Sequence, residues 1–260
     1  MGTSSHNPGQ SGHTPLVPSW VDGDSNSIAA PVSPNGDPQR FSSARSNMTR
    51  FARSGDGRNL RNAVSHYVRS STGGVHGAVN RLGSARASTA KLLSVLGAFS
   101  EGGASTVQDY LKVYNLIGVR ADVALRSVTD LICEDGGPVN EGIARDAYID
   151  ALADHKELRN VNFEDLTPDQ VMLLVQGSMA RIVVGRLLND IGNNTISIPE
   201  SLQKAGNVKN RMIKFVEGLI GDAFAEKGLS PDSIQKDKAQ SISDDIYDRV
   251  YSSFAAADEE

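Results

Sequence analysis

The stretch TPDQVMLLVQGSMARIVVGRLLNDIG, residues 167–192, decides the fold. Its first four residues, Thr167-Pro168-Asp169-Gln170, have the form of a capping box. The Thr hydroxyl can accept from the backbone N–H three residues on, Pro suits the first helical position, and Gln can reach back. From there to about Ile191, apolar residues stand on nearly every side of a 3.6-residue helix: Val171, Leu173, Leu174, Val175, Met179, Ile182, Val183, Val184, Leu187 and Leu188. Gly192-Asn193-Asn194 then ends it. A helix that is apolar all round has to be covered all round, so this one belongs at the centre.

The segments on either side supply the cover. Met212, Phe215, Val216, Leu219, Ile220 and Ala223 form a stripe stopped at Gly228, and Ile242, Ile246, Tyr247, Val250, Tyr251 and Phe254 form a closing amphipathic helix. Upstream, Ala121 to Cys133 reads as one helix stopped by Gly136-Gly137-Pro138, and Ile143, Ala147 and Ala151 mark another with Asn140 as its cap. Ala85 to Phe99 carries a broad apolar face, and Val107, Tyr110, Leu111, Tyr114 and Ile117 form a stripe ended by Gly118. Leu60, Val64, Tyr67 and Val68 fall at helical spacing before Gly73-Gly74. Only Ile196-Ser197-Ile198-Pro199 reads as strand-like. With 39% hydrophobic and 5% aromatic residues, no βαβ alternation and no fixed repeat, the expected class is all-α: a helical bundle body with a basic helical collar and an extended disordered arm.

Charge divides the chain into the same parts. Residues 1–39 hold three Asp and no Lys or Arg, for a charge of −3. Residues 40–91 hold nine Arg and Lys91 against Asp56 alone, for +9; residues 92–260 hold 16 basic and 27 acidic residues, for −11. The expected divisions are a Gly/Pro/Ser-rich arm at 1–39, a basic collar at 40–87 and an all-α domain at 88–260. The arm carries one apolar island, Thr14-Pro15-Leu16-Val17-Pro18-Ser19-Trp20, with the single Trp of the chain. A segment unable to form its own core, yet holding such an island, suits delivery to a partner. The collar repeats Arg-Phe at Arg40-Phe41 and Arg50-Phe51, and Arg45, Arg53, Arg58, Arg61 and Arg69 complete its candidate cationic set. That set fits phosphate neutralisation, a face docked on the acidic body, or an acidic partner.

Catalytic chemistry is hard to find. Gly83 to Lys91 has the wrong spacing for a phosphate loop and Ala90 before its Lys; Gly55-Asp56-Gly57 reads as a turn. Asp22-Gly23-Asp24 begins like a calcium loop but lacks the Gly at Ser27 and the Glu at Ser33. His6, His13, His66, His76 and His155 form no metal motif, and no Gly-x-Ser-x-Gly occurs. Asp244-Asp245 and Glu164-Asp165 read as charges at helix starts. Cys133, the sole cysteine, reads as a buried inert thiol. No apolar run approaches a membrane span, no secretory leader is evident, and His6 breaks the myristoylation pattern. The expectation is a cytoplasmic protein with no catalytic residues, no metal and no bound cofactor.

Several segments together resemble the QatB family, the small component of bacterial Qat anti-phage defence systems. They are Met1-Gly2-Thr3-Ser4-Ser5, the Thr14–Trp20 island, Arg40-Phe41 through Arg53-Ser54-Gly55, Tyr67-Val68-Arg69-Ser70-Ser71-Thr72-Gly73-Gly74, Leu166-Thr167-Pro168-Asp169-Gln170 and Asp244-Asp245-Ile246-Tyr247. The likeness runs nearly full length and is strongest in the first 75 residues, with a shorter arm than the family's. The resemblance implies a non-enzymatic subunit working beside a QatA-like ATPase, a QatC-like (QueC-like) 7-deazaguanine enzyme and a TatD-like nuclease. It also implies that Gly2 is an N-terminal modification site carrying a covalent 7-deazaguanine adduct. Thr3, Ser4 and Ser5 would thread into the enzyme, and Leu16, Val17, Pro18 and Trp20 would hold the arm outside it. Two alternatives stand beside this: a nucleic-acid-binding adaptor using the Arg collar, and a purely structural bridge between ATPase and nuclease.

Overall fold

A computed structural model of the chain describes residues 39–133, 139–192 and 202–257. All of them fall in one contact unit, 34–260. Among the described residues there are ten α-helices and no strand; a lone antiparallel bridge joins Arg120 to Asn162. The helices are α1 (Ser42–Ser54), α2 (Gly57–His66), α3 (Val75–Asn80), α4 (Ala85–Leu111), α5 (Ala121–Ser127), α6 (Thr129–Ile132), α7 (Val139–Asp154), α8 (Pro168–Gly192), α9 (Leu202–Glu226) and α10 (Ala239–Ala256). The all-α expectation holds. The Gly136-Gly137-Pro138 stop and the Ile196–Pro199 stretch lie outside the described residues.

α8 is the central rod. Thr167 and Gln170 form the reciprocal capping box: the Thr167 N–H donates to Gln170 Oε1 at 2.9 Å, and the Gln170 N–H donates to Thr167 Oγ1 at 3.2 Å. α7, α9 and α4 pack on α8, and α10 closes over α4, α9, α2 and α3. By length and composition α8 could cross a bilayer, but 78% of its most apolar stretch is buried inside the fold. Val183, Val184 and Leu187 are buried against these neighbours. Each such side chain contributes about 1.5–3 kcal/mol when fully removed from water. Arg181, also buried, donates to the Gly177 carbonyl and pairs with Asp154 of α7 and Glu217 of α9, so one guanidinium ties three helices.

Three sequence readings change. The stripe from Val107 to Ile117 is not one helix: α4 bends at Gly102–Gly103, where Gly103 has φ +69°, and leaves the helix at Lys112. Gln108 then caps the loop, its Oε1 accepting from the Leu116 N–H at 2.8 Å. Tyr114 is consequently 68% exposed and Ile117 50% exposed. Ala121 to Cys133 is two short helices that break at Val128. Asn140 lies inside α7, and its Oδ1 accepts from Arg186 instead of capping.

Candidate interaction surface

The expected arm residues Gly2, Thr3, Ser4, Ser5, Leu16, Val17, Pro18 and Trp20 lie outside the described residues. The seven collar arginines are described, and the fold gives them two different environments. α1 and α2 form a hairpin turned by Gly55 (φ +70°), whose N–H donates to the Phe51 carbonyl at 2.7 Å. Asp56 then caps α2 by accepting from the Arg58 N–H at 2.9 Å. The inner side of this hairpin places Phe41, Ala44, Met48, Phe51, Leu60 and Val64 in the same apolar core as α8 and α10.

Three guanidiniums surround the buried Phe41 ring, with centroid distances of 5.0 Å for Arg40, 5.8 Å for Arg45 and 5.7 Å for Arg81. Such contacts are each worth about 0.5–2 kcal/mol, increasing with desolvation. Arg45 also donates to the Ile191 carbonyl at 3.1 Å, near the end of α8 where the helix dipole favours a cation. Arg81 makes a two-pronged pair with Asp190, at 2.6 Å and 2.7 Å. Asp190 receives two further donors, Arg186 and the Tyr67 hydroxyl, the latter at 2.7 Å. Burial alone would push the Asp190 carboxyl up, but the bonds from Arg81 and Arg186 outweigh it and hold the group below its ordinary value. Burial, reinforced by Tyr251 and Asp190, pushes the Tyr67 phenol well up, so it remains a donor. Arg86 reaches Asp244 of α10 at 3.1 Å, a third tie between the basic segment and the rest.

The outer side differs. Ser42, Ser43, Ser46, Arg50 and Arg53 form one exposed stripe along α1, and Arg58 is exposed at the start of α2. Arg61 is half-buried beside them, and Arg69 is exposed within the π-helical turn Tyr67–Ser71. Arg211, from the first half of α9, joins this margin by donating to the Gly55 carbonyl and lying 5.3 Å from the Phe51 ring centroid.

Sequence reading missed Asp190, Arg81, Arg86 and Arg211. The available signal was the presence of Arg181, Arg186 and Asp190 in an otherwise apolar core helix, since buried charges are normally paired. Of the two acidic doublets expected at helix starts, Glu164-Asp165 does stand in the short 3-10 turn Phe163–Asp165, and Asp244-Asp245 does not stand at a start. Asp244 and Asp245 lie within α10 and pair with Arg86 and Lys227, while Glu164 accepts from the Gly118 N–H at 2.9 Å. Cys133 is buried, and that burial pushes its thiol up, as expected of an inert side chain. Among the described residues no three His, Cys, Asp or Glu side chains gather to hold a metal ion.

A family model described as QatB, Qat anti-phage system associated protein QatB, matches residues 73–254. The matched span runs from just before α3 into the last turn of α10; the arm and collar residues 40–72, with both Arg-Phe pairs, lie ahead of it. No curated protein and no solved structure matches the chain.

Proposed function

This chain belongs to the QatB family of proteins associated with Qat anti-phage systems, and on that premise we propose that it is a non-enzymatic scaffold subunit whose N-terminus is the substrate of a QueC-like 7-deazaguanine enzyme. The family match is the observation that carries the reading. The described body supports it, because its charged core groups are committed to one another: Asp190 serves Arg81, Arg186 and Tyr67, and Arg181 serves Asp154 and Glu217. Groups held that way set structure and leave little for substrate chemistry. The candidate reactive group is then the Gly2 amine, freed when the initiator Met is removed. An α-amine with a pKa of about 7.7–8.0 is partly unprotonated near neutral pH and can act as a nucleophile.

Threading an arm costs on the order of 1–2 kcal/mol per ordered residue, so the affinity has to be concentrated in few side chains. Leu16, Val17, Pro18 and Trp20 meet that need, with Pro limiting the entropy lost and Trp offering a large apolar anchor. The decisive measurement is intact mass of the chain co-expressed with its neighbouring gene products. Loss of Met plus a deazaguanine adduct is the expected result; an unmodified Gly2 amine in every sample overturns it. In the same system Trp20→Ala should weaken capture of the QueC-like enzyme by at least tenfold, the size of an ordinary hot-spot loss. Defence that survives deletion of residues 2–38 would favour the structural-bridge reading instead.

A further inference from the structure

We propose that the outer face of the α1–α2 hairpin binds a nucleic-acid backbone, with Arg50, Arg53 and Arg58 on phosphates and Arg61 and Arg211 at the margin. This site is separate from Gly2 and does not depend on its modification. Residues 39–66 hold six arginines and a single carboxylate, Asp56, which already serves as a helix cap. On the body, cations such as Arg145, Lys209, Lys227, Lys236 and Arg249 reach carboxylates. Arg50, Arg53, Arg58 and Arg61 pair with none among the described residues, and the hairpin's one carboxylate, Asp56, accepts from the Arg58 backbone N–H. The inner arginines of the segment are consumed by the fold, Arg81 by Asp190 and Arg86 by Asp244. What remains outside is therefore an unneutralised cationic face.

Every cation from 40 to 90 is Arg, and the exposed stripe of α1 alternates it only with Ser. Arg offers a planar fork matched to phosphate oxygens, and Ser hydroxyls are common phosphate contacts. Arg50 and Arg53, three residues apart, have Cβ atoms about 5–6 Å apart, so both can engage one strand.

The face also lacks what an acidic protein partner would need. Protein interfaces have an apolar core inside a polar rim. Among the described residues the exposed large apolar side chains are Tyr110, Tyr114, Ile117, Val123, Leu131, Val139 and Leu173. None is on α1 or α2. A face of Arg and Ser without an apolar centre fits a phosphate backbone.

The test uses the full-length chain and a labelled 30-base-pair duplex of arbitrary sequence, titrated over a salt series. Three phosphate contacts give a slope near −2.7 in log K against log salt, so affinity should fall about 40-fold between 50 and 200 mM. Arg50→Gln/Arg53→Gln/Arg58→Gln should bring that slope close to zero, while its melting temperature stays that of the parent because the three side chains are exposed. A control triple, Lys112→Gln/Lys156→Gln/Lys238→Gln, removes equal charge from other exposed positions and should leave the slope unchanged. The proposal is overturned by an Arg triple that binds the duplex with the parental slope. It is also overturned if poly-L-glutamate competes as effectively as unlabelled duplex at equal charge, which would identify an acidic-protein surface. Competition by ATP or inorganic phosphate at millimolar concentration, with no duplex binding, would assign the face to small phosphates and equally overturn it.

Discussion

Asp190→Ala should destabilise the protein by about 3–5 kcal/mol, the cost of leaving buried cations without their carboxylate. The Asp190 side chain is 2% exposed and receives Arg81 from beyond α3, Arg186 from one turn back on α8, and the Tyr67 hydroxyl from the end of α2. Removing the carboxylate therefore strands two guanidiniums and a phenol together. For a domain of this size the loss corresponds to a fall in melting temperature of roughly 6–20 °C. Tyr67→Phe removes one donor from the same carboxylate and should cost less, about 1.5–3 kcal/mol for a hydrogen bond to a charged group. The pH dependence gives an independent reading. The native Asp190 carboxyl lies below its ordinary value, so its contribution is complete above the unfolded pKa near 3.9. It is lost as pH falls through the lower native value. Urea unfolding from pH 6 to pH 2 should show Asp190→Ala losing less stability on acidification than the parent. Parallel pH curves would show that Asp190 does not titrate as this geometry requires.

The distance between Asp190 and Arg81, 109 positions, explains why the sequence concealed that hub. Periodicity reports which side of a helix is apolar; it carries no information about which distant charge will meet Asp190. The same limit applies to the basic segment. A charge of +9 over residues 40–91 averages over two faces, and only the fold divides Arg81 and Arg86, which pair with body carboxylates, from Arg50, Arg53 and Arg58, which point outward. Local chemistry, by contrast, was legible. Thr167 and Gln170 make the reciprocal bonds their spacing requires, and α4, α7 and α9 cover most of the apolar residues of α8, with Leu173 near its start left exposed. The stripe beyond Val107 misled because Tyr110, Tyr114 and Ile117 continue a helical period after Gln108 and the left-handed Lys112 have ended the helix. A periodic pattern states which residues could share a face. It does not state that the backbone continues.

The collar and body form one core in the described residues, and that has a consequence at the far end of the chain. Phe254→Ala, in the last turns of α10, should cost about 3–5 kcal/mol, the range for a buried Phe replaced by Ala. The Phe254 ring is fully buried, lies nearly parallel to Phe215 of α9 with centroids 6.1 Å apart, and meets Tyr251 edge-on at 5.6 Å. Tyr251 in turn stacks on Tyr67 at 6.4 Å, and Tyr67 lies 6.1 Å from Phe41. One aromatic chain thus runs from α9 through α10 to Phe41 at the start of the collar. Loosening its α10 end should reach the collar: amide protection in α1 and α2 should fall together with that in α10, while the Gln108-capped loop at the other end of α4 is unaffected. Phe254→Leu retains most of the volume and should cost less than about 1.5 kcal/mol. A Phe215→Leu/Phe254→Leu cycle should yield a coupling of about 0.5–1.5 kcal/mol if ring packing contributes beyond area. Collar protection that stays at the parental level in Phe254→Ala would mean that the Asp190 hub, the Arg45–Ile191 bond and the rest of the apolar core hold α1 and α2 without the Phe254 end. The hydrophobic link drawn here between the two ends of the chain would then have no energetic weight.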